Sequence, residues 1–260
     1  MCIRDSIIAG NFIGLGADGS TAIPNDKRGI FLTTTSSGNI IGYDPSMANQ
    51  DELIVGNRIK NNGDTGVSHS GTGTQNRISR NQIEDNVSIG IDLGYDSVTP
   101  NDNGDGDNGS NNLLNFPVVT SALLLGDDLL IQGFAPAGST IEFYVADAGP
   151  SPSPLPGGFT TSFGEGSRYL FEEVEGGPND TQVTTGSYFN DGTGIIGTRL
   201  QSQFSFTIDV SSMSLAPGFR LSAIAIDNND NTSEFSGVFE IFENCGTATT
   251  NPHIMYYRPK

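Results

Sequence analysis

The chain has 260 residues, 30 of them acidic and 12 basic, for a net charge of −18. That balance excludes a nucleic-acid partner, whose phosphates need Lys and Arg, and an anionic membrane surface; no apolar run approaches the roughly 20 residues of a membrane span. Hydrophobic residues make up 35 % and charged residues 16 %, with Gly at 34 and the polar balance carried by Asn, Ser and Thr, a mixture that predicts an all-β chain rich in turns.

Met1 to Ser6 reads as an adapter-derived scar and not a native start, with earlier repeats and any export signal lying upstream of it. Cys2 falls in that scar and Cys245 beyond the last strand, so no disulfide framework is expected. Residues 7–94 carry an internal repeat. Asn57-Arg58-Ile59 returns as Asn81-Gln82-Ile83, and Gly66-Val67 as Gly90-Ile91, each 24 residues later. A looser copy runs from Gly29 to Asn39 and Ile41, with an inserted loop near Tyr43 to Glu52. Short strands with one inward aliphatic, separated by Asn and Gly corners, predict rungs of a parallel β-helix. Asn39, Asn57, Asn76 and Asn81 are expected to form side-chain ladders between rungs.

Residues 95–116 form an acidic Gly/Asp/Asn junction, expected to cap the last rung. Residues 117–243 then change period. Candidate strands lie at 118–125, 129–134, 140–146, 169–174, 204–210, 220–227 and 233–242, with long loops at 149–158 and 176–197. Such a strand set predicts an immunoglobulin-like β-sandwich, able to fold alone from about Asn115. Phe143 and Tyr144 are adjacent, so they face opposite ways and one of them is expected in the core. Residues 244–260 read as linker or tail.

Several segments carry a resemblance: Gly90-Ile91-Asp92-Leu93-Gly94, Thr99-Pro100-Asn101-Asp102, Leu113-Leu114-Asn115-Phe116-Pro117-Val118, Gly164-Glu165-Gly166 and Asn231-Thr232-Ser233-Glu234-Phe235-Ser236. Together they resemble secreted bacterial proteins in which right-handed parallel β-helix repeats are followed by an immunoglobulin-like module. The resemblance covers most of 7–243. It implies an extracellular or cell-surface location and a scaffold or adhesion role, and transfers no catalytic site. The insertion between Gly176 and Gly197 departs from it.

Between Arg80 and Arg168 there is no Lys or Arg but there are twelve acidic residues. Asp102, Asn103, Asp105 and Asp107 lie on a Gly-rich loop, with Asp92 and Asp96 just before it. Oxygen donors so arranged are a candidate Ca²⁺ site, although position twelve of the loop pattern is Asn112 and not Glu. Asp227, Asn229, Asp230 and Glu234 form a second acidic turn. For catalysis the rungs offer Arg58, Lys60, Arg77 and Arg80 with Asp64, Glu84 and Asp85, but Arg58 and Lys60 alternate with Ile59 and read as surface charges. His69, between Ser68 and Ser70, reads as an exposed loop residue, and His253 lies in the tail. The expectation is a non-enzymatic scaffold or adhesion segment with a surface glycan or a protein as ligand. The alternative is the C-terminal part of a β-helix polysaccharide lyase or hydrolase with an accessory carbohydrate-binding sandwich.

Overall fold

The computed structural model describes residues 6–46, 56–146, 163–193 and 195–243. The scar through residue 5, most of the inserted loop, the 149–158 loop and the 244–260 tail lie outside the described residues, as do Cys2, Cys245 and His253. Regular structure among the described residues is β throughout, apart from one 3₁₀ turn at Ser110–Leu113.

Nine short strands come first: β1 (Ile7–Ile8), β2 (Phe12–Ile13), β3 (Ile30–Thr34), β4 (Ile40–Gly42), β5 (Arg58–Lys60), β6 (Val67–Gly71), β7 (Arg77–Ser79), β8 (Gln82–Glu84) and β9 (Ile91–Leu93). Every third strand pairs in parallel, giving the ladders β1-β4-β7, β2-β5-β8 and β3-β6-β9. The register follows the sequence repeat: Arg58 pairs with Gln82 and Val67 with Ile91, while Ile30 pairs with Val67 in the looser copy. Ile41 stacks over Ile78 and Ile59 over Ile83, all at most 1 % exposed. Three-residue strands suffice because each winding buries its central aliphatic against the next.

Buried asparagines hold the corners. Asn39 Nδ2 donates to Asn76 Oδ1 (2.7 Å) and Asn57 Nδ2 to Asn81 Oδ1 (2.9 Å), in the pairs expected from sequence. A third ladder, Asn25 to Asn62 to Asn86 with 2.8 Å at each step, was not expected. Asn76, Asn81 and Asn86 Oδ1 each also take a backbone amide, as Asn81 Oδ1 does from Asn57 N (3.0 Å), so corner groups that no strand satisfies are paired.

The second half supplies β10 (Val118–Leu125), β11 (Asp128–Ala135), β12 (Thr140–Ala146), β13 (Gly166–Val174), β14 (Thr185–Asn190), β15 (Ile196–Asp209), β16 (Arg220–Ile226), β17 (Phe239–Glu240) and β18 (Phe242–Glu243). One sheet has the order β14-β15-β11-β10-β18. The other, β17-β16-β12-β13, runs on into β8-β5-β2 through a single antiparallel pairing of Gly166 with Ile83. A side chain at Gly166 would strike Tyr144 and Phe235, so the crossing needs glycine there.

Two expectations are corrected. The segment 176–197 is not all loop: it contains β14 and the start of β15. Thr185–Asn190 is largely exposed and polar, so it lacks the alternation that marks a half-buried strand. Conversely, 233–238 is not a regular strand. The Ser233 and Ser236 amides donate to the carbonyls of Ala225 and Ala223, at 2.9 and 2.8 Å, but the return bonds from the Ala225 and Ala223 amides go to the two serine hydroxyls, at 2.9 and 3.0 Å, so side chains supply half of the ladder there.

The middle sheet is buried on both faces. Ile141, Phe143, Leu221 and Ala223 pack with Leu129, Ile131, Phe204 and Phe206 of the outer sheet. Tyr144, Ile224, Ile226 and Phe235 join Ile59, Ile78, Ile83 and Ile91 of the stack. Both Phe143 and Tyr144 are therefore core, at 0 % and 1 % exposed, where only one was expected. His69 is also corrected. It lies on β6, 1 % exposed, between Leu32 and Leu93 of the neighbouring strands.

Candidate ligand-binding site at the acidic junction

The last winding would end in unpaired backbone and side-chain groups, and the second half covers them. Glu165 takes the end of one asparagine ladder, accepting from Asn86 Nδ2 at 2.8 Å. Asn111 Oδ1 accepts the Asn76 amide at 3.1 Å, and Thr232 Oγ1 that of Ile78 at 2.9 Å. Glu234 accepts the amides of Leu93 and Thr99, each at 2.8 Å. Glu142, fully buried, accepts from the Arg80 amide at 3.0 Å and from the Ser79 and Tyr144 hydroxyls. Burial pushes the carboxyls of Glu142 and Glu234 upward despite these donors.

The six residues expected to bind metal fall into two groups. Asp92 and Asp96 belong to the closed end of the stack. The Asp96 amide donates to Asp92 Oδ1 at 3.2 Å. Burial, with the charge of Asp96, pushes the Asp92 carboxyl up to about 6, and both charges act on Glu234. Asp102, Asn103, Asp105 and Asp107 lie on the loop beyond.

That loop is closed at its base by paired asparagines. Asn101 Nδ2 donates to Phe116 O and Asn101 Oδ1 accepts the Phe116 amide, both at 2.9 Å. One residue inward, Asn115 Oδ1 accepts the Asp102 amide at 2.9 Å, and Asn115 Nδ2 returns a bond to Asp102 O at 3.0 Å. Arg199, ion-paired to buried Asp191, holds the Asn101 carbonyl, and Asn103 Oδ1 accepts the Leu200 amide at 2.9 Å. The loop is thereby pinned to β15.

Within it Asp102 accepts the Gly106 amide at 3.1 Å, and Asp105 Oδ1 that of Asn115 at 2.8 Å. Burial raises the Asp105 carboxyl, and the charges of Asp102, Asp227 and Asp107 add to it; Asp107 is raised by burial and by Asp102. Among the described residues no three His, Cys, Asp or Glu side chains converge as metal ligands would.

A cleft of about 480 Å³ opens where the loop meets the edge formed by β14 and β15. Asp105 lines one side and Asp227 and Asn228 another, with Thr185, Gln201 and Ser202 from β14 and β15. Asp227, noted in the sequence as part of an acidic turn, is shaped there by the amides of Asn229 (2.8 Å) and Asn231 (2.9 Å). Gln201 is 7 % exposed, and neither its Oε1 nor its Nε2 has a partner among the described residues. No sequence signal marks Gln201, which sits in a polar run. The basic residues considered for catalysis are engaged elsewhere. Lys60 pairs with Glu84 (2.6 Å) and Asp85 (3.2 Å), Arg58 with Gln82 and Arg77 with Asp230. Arg80 pairs with Glu172 and stacks on Tyr43 and Tyr169. No helix among the described residues is long and apolar enough to cross a membrane. A scan against protein-family models finds none that matches this chain.

Proposed function

We propose that this chain is a non-enzymatic segment of an extracellular scaffold or adhesion protein. In this reading three rungs of a right-handed parallel β-helix end on an immunoglobulin-like sandwich, which serves as both cap and ligand-facing module. The observation that carries it is the closed end of the stack. Glu142, Glu165, Thr232 and Glu234 from the second half each satisfy a group of the last winding. An open stack of parallel strands is a template for further pairing, and a covered one ends cleanly as an extended surface protein requires. The acidity of the chain suits a solvated exterior.

The rung cations support a non-enzymatic reading, because Lys60 and Arg80 are held in carboxylate pairs and not presented to solvent as proton acceptors. Calcium belongs to the proposal only through Asp102, Asp105 and Asp107, whose mutual repulsion a hard cation would relieve. Incubation with pectin or alginate, with and without millimolar Ca²⁺, should release neither unsaturated products nor reducing ends. Turnover that disappears in Arg58→Ala or Arg80→Ala would overturn the scaffold reading. In the same samples Ca²⁺ should raise the melting temperature of chelator-treated protein, and Asp105→Ala with Asp107→Ala should abolish that rise. A melt indifferent to Ca²⁺ removes the metal from the proposal and leaves the scaffold.

A further inference from the structure

We propose that the open end of the stack, where β1, β2 and β3 lie, is an interaction surface for one kind of partner: a further parallel winding whose corner side chains donate hydrogen bonds to Asn11 and Asn25. The inference goes beyond the scaffold reading and does not depend on the absence of turnover.

The end is open in its apolar and its polar parts. Ile8 and Ile13 are only partly buried, whereas Ile41 and Ile59, their neighbours in the next winding, are 0 % exposed. Among the described residues β1, β2 and β3 each have a strand on one side only, and an unpaired edge is a template for another strand. The turn at Gly19 does not cover them, because it lies against Phe12 and Arg58 on the outer wall.

The asparagine ladders give this end a polarity. At every step Nδ2 donates away from the open end: Asn11 to Asn57 at 3.0 Å, Asn25 to Asn62 at 2.8 Å and Asn39 to Asn76 at 2.7 Å, then on to Asn81, Asn86 and Asn111. The ladder that reaches Asn86 is accordingly finished at the closed end by an acceptor, Glu165. The open end calls for the reverse. Asn11 and Asn25 are exposed, their Nδ2 groups are committed to the stack, and Oδ1 of each remains to accept. Inside the stack that place is filled from the winding nearer the open end: Asn57 Oδ1 takes both the side-chain and the backbone amide of Asn11, at 3.0 and 3.1 Å. A second copy of this chain set end to end would bring acceptor against acceptor, and its other end is already covered. A net charge of −18 on each copy adds to the mismatch. A winding with asparagine at both corners supplies the missing donors.

The chain's own repeat supplies the probe. Residues 57–76 hold the right register, since Asn57 stands beneath Asn11, Asn62 beneath Asn25, and Asn76 beneath Asn39, which itself stands beneath Ser6. A copy of 57–76 is joined to Ile7 in place of residues 1–6. It should raise the melting temperature and slow amide exchange in 7–34 by about tenfold or more. The same extension with Asn57→Asp and Asn62→Asp in the copy keeps the shape but offers only acceptors, and should give neither effect. The unextended chain should sediment as a monomer, with exchange in 7–34 independent of protein concentration. Equal protection from the two extensions, no protection from either, or a dimer of the unextended chain that protects 7–34 would each overturn the proposal. None of these results bears on turnover, so the scaffold reading stands or falls by its own assay.

Discussion

His69 shows how one residue can be set against its surroundings. Its strand neighbours in the ladder are Leu32 and Leu93, and neither ring nitrogen has a partner among the described residues. Burial pushes its pKa down from 6.5 to about 4. The unfolded chain therefore takes up a proton at His69 before the folded chain does, and stability falls as pH drops from about 6.5 towards 4. Asp92 works in the opposite sense. Its carboxyl is raised to about 6, so its contribution is present in acid and is lost as pH rises through that value. A comparison of variants separates the two. His69→Leu matches its stacked neighbours and cannot titrate. The variant should be the more stable, and its advantage in denaturant unfolding should widen by about 3 kcal/mol between pH 7 and pH 4. An advantage that does not change with pH would mean that His69 finds a partner in solution.

At the scale of elements, the asparagine ladders and the carboxylates that end them are the working parts. Glu165 stands where the next winding would supply another asparagine above Asn86. Glu165→Ala would leave the Asn86 side chain short of its acceptor in a buried site, at a cost of about 1–3 kcal/mol. Glu165→Gln should recover most of that loss, and equal melting temperatures for the two variants would rule out an acceptor role. Much of this level was legible in advance. The 24-residue repeat predicts which strands pair, and the spacing of Asn39 to Asn76 and of Asn57 to Asn81 predicts their contacts. Asn62 and Asn86 share the 24-residue spacing and were as legible; only the Asn25 end of that ladder was hidden, because the first copy is irregular. The length and start of β15 were hidden because Gln201 and Arg199 look like solvent-facing positions, and it is the acidic loop that buries them. Phe143 with Tyr144, and the run Ala223-Ile224-Ala225-Ile226, were readable only in part. Continuous apolar strands mark a sheet covered on both faces, but sequence alone does not say what covers the second face.

That second cover joins the molecule. The sequence predicts a division at about 95–116 into a repeat and an autonomous sandwich, yet Tyr144, Ile224 and Ile226 of the middle sheet, with Phe235 beyond it, join the core of the stack. A fragment beginning near Asn115 would expose these four side chains. It would also leave Glu142 and Glu234 without the strand ends that they satisfy. Each large apolar side chain so exposed forfeits about 1.5–3 kcal/mol, a substantial fraction of the stability of an ordinary domain. The second half is accordingly expected to depend on the stack, as the stack depends on it for an end.

Hydrogen exchange of the whole chain, followed by mass spectrometry through a denaturant series, tests this mutual dependence most directly. Peptides from 56–93 and from 118–243 should lose protection at the same denaturant concentration and with the same steepness, as parts of one cooperative unit. Persistent protection of 118–243 after 56–93 has become fully exchangeable would contradict the account.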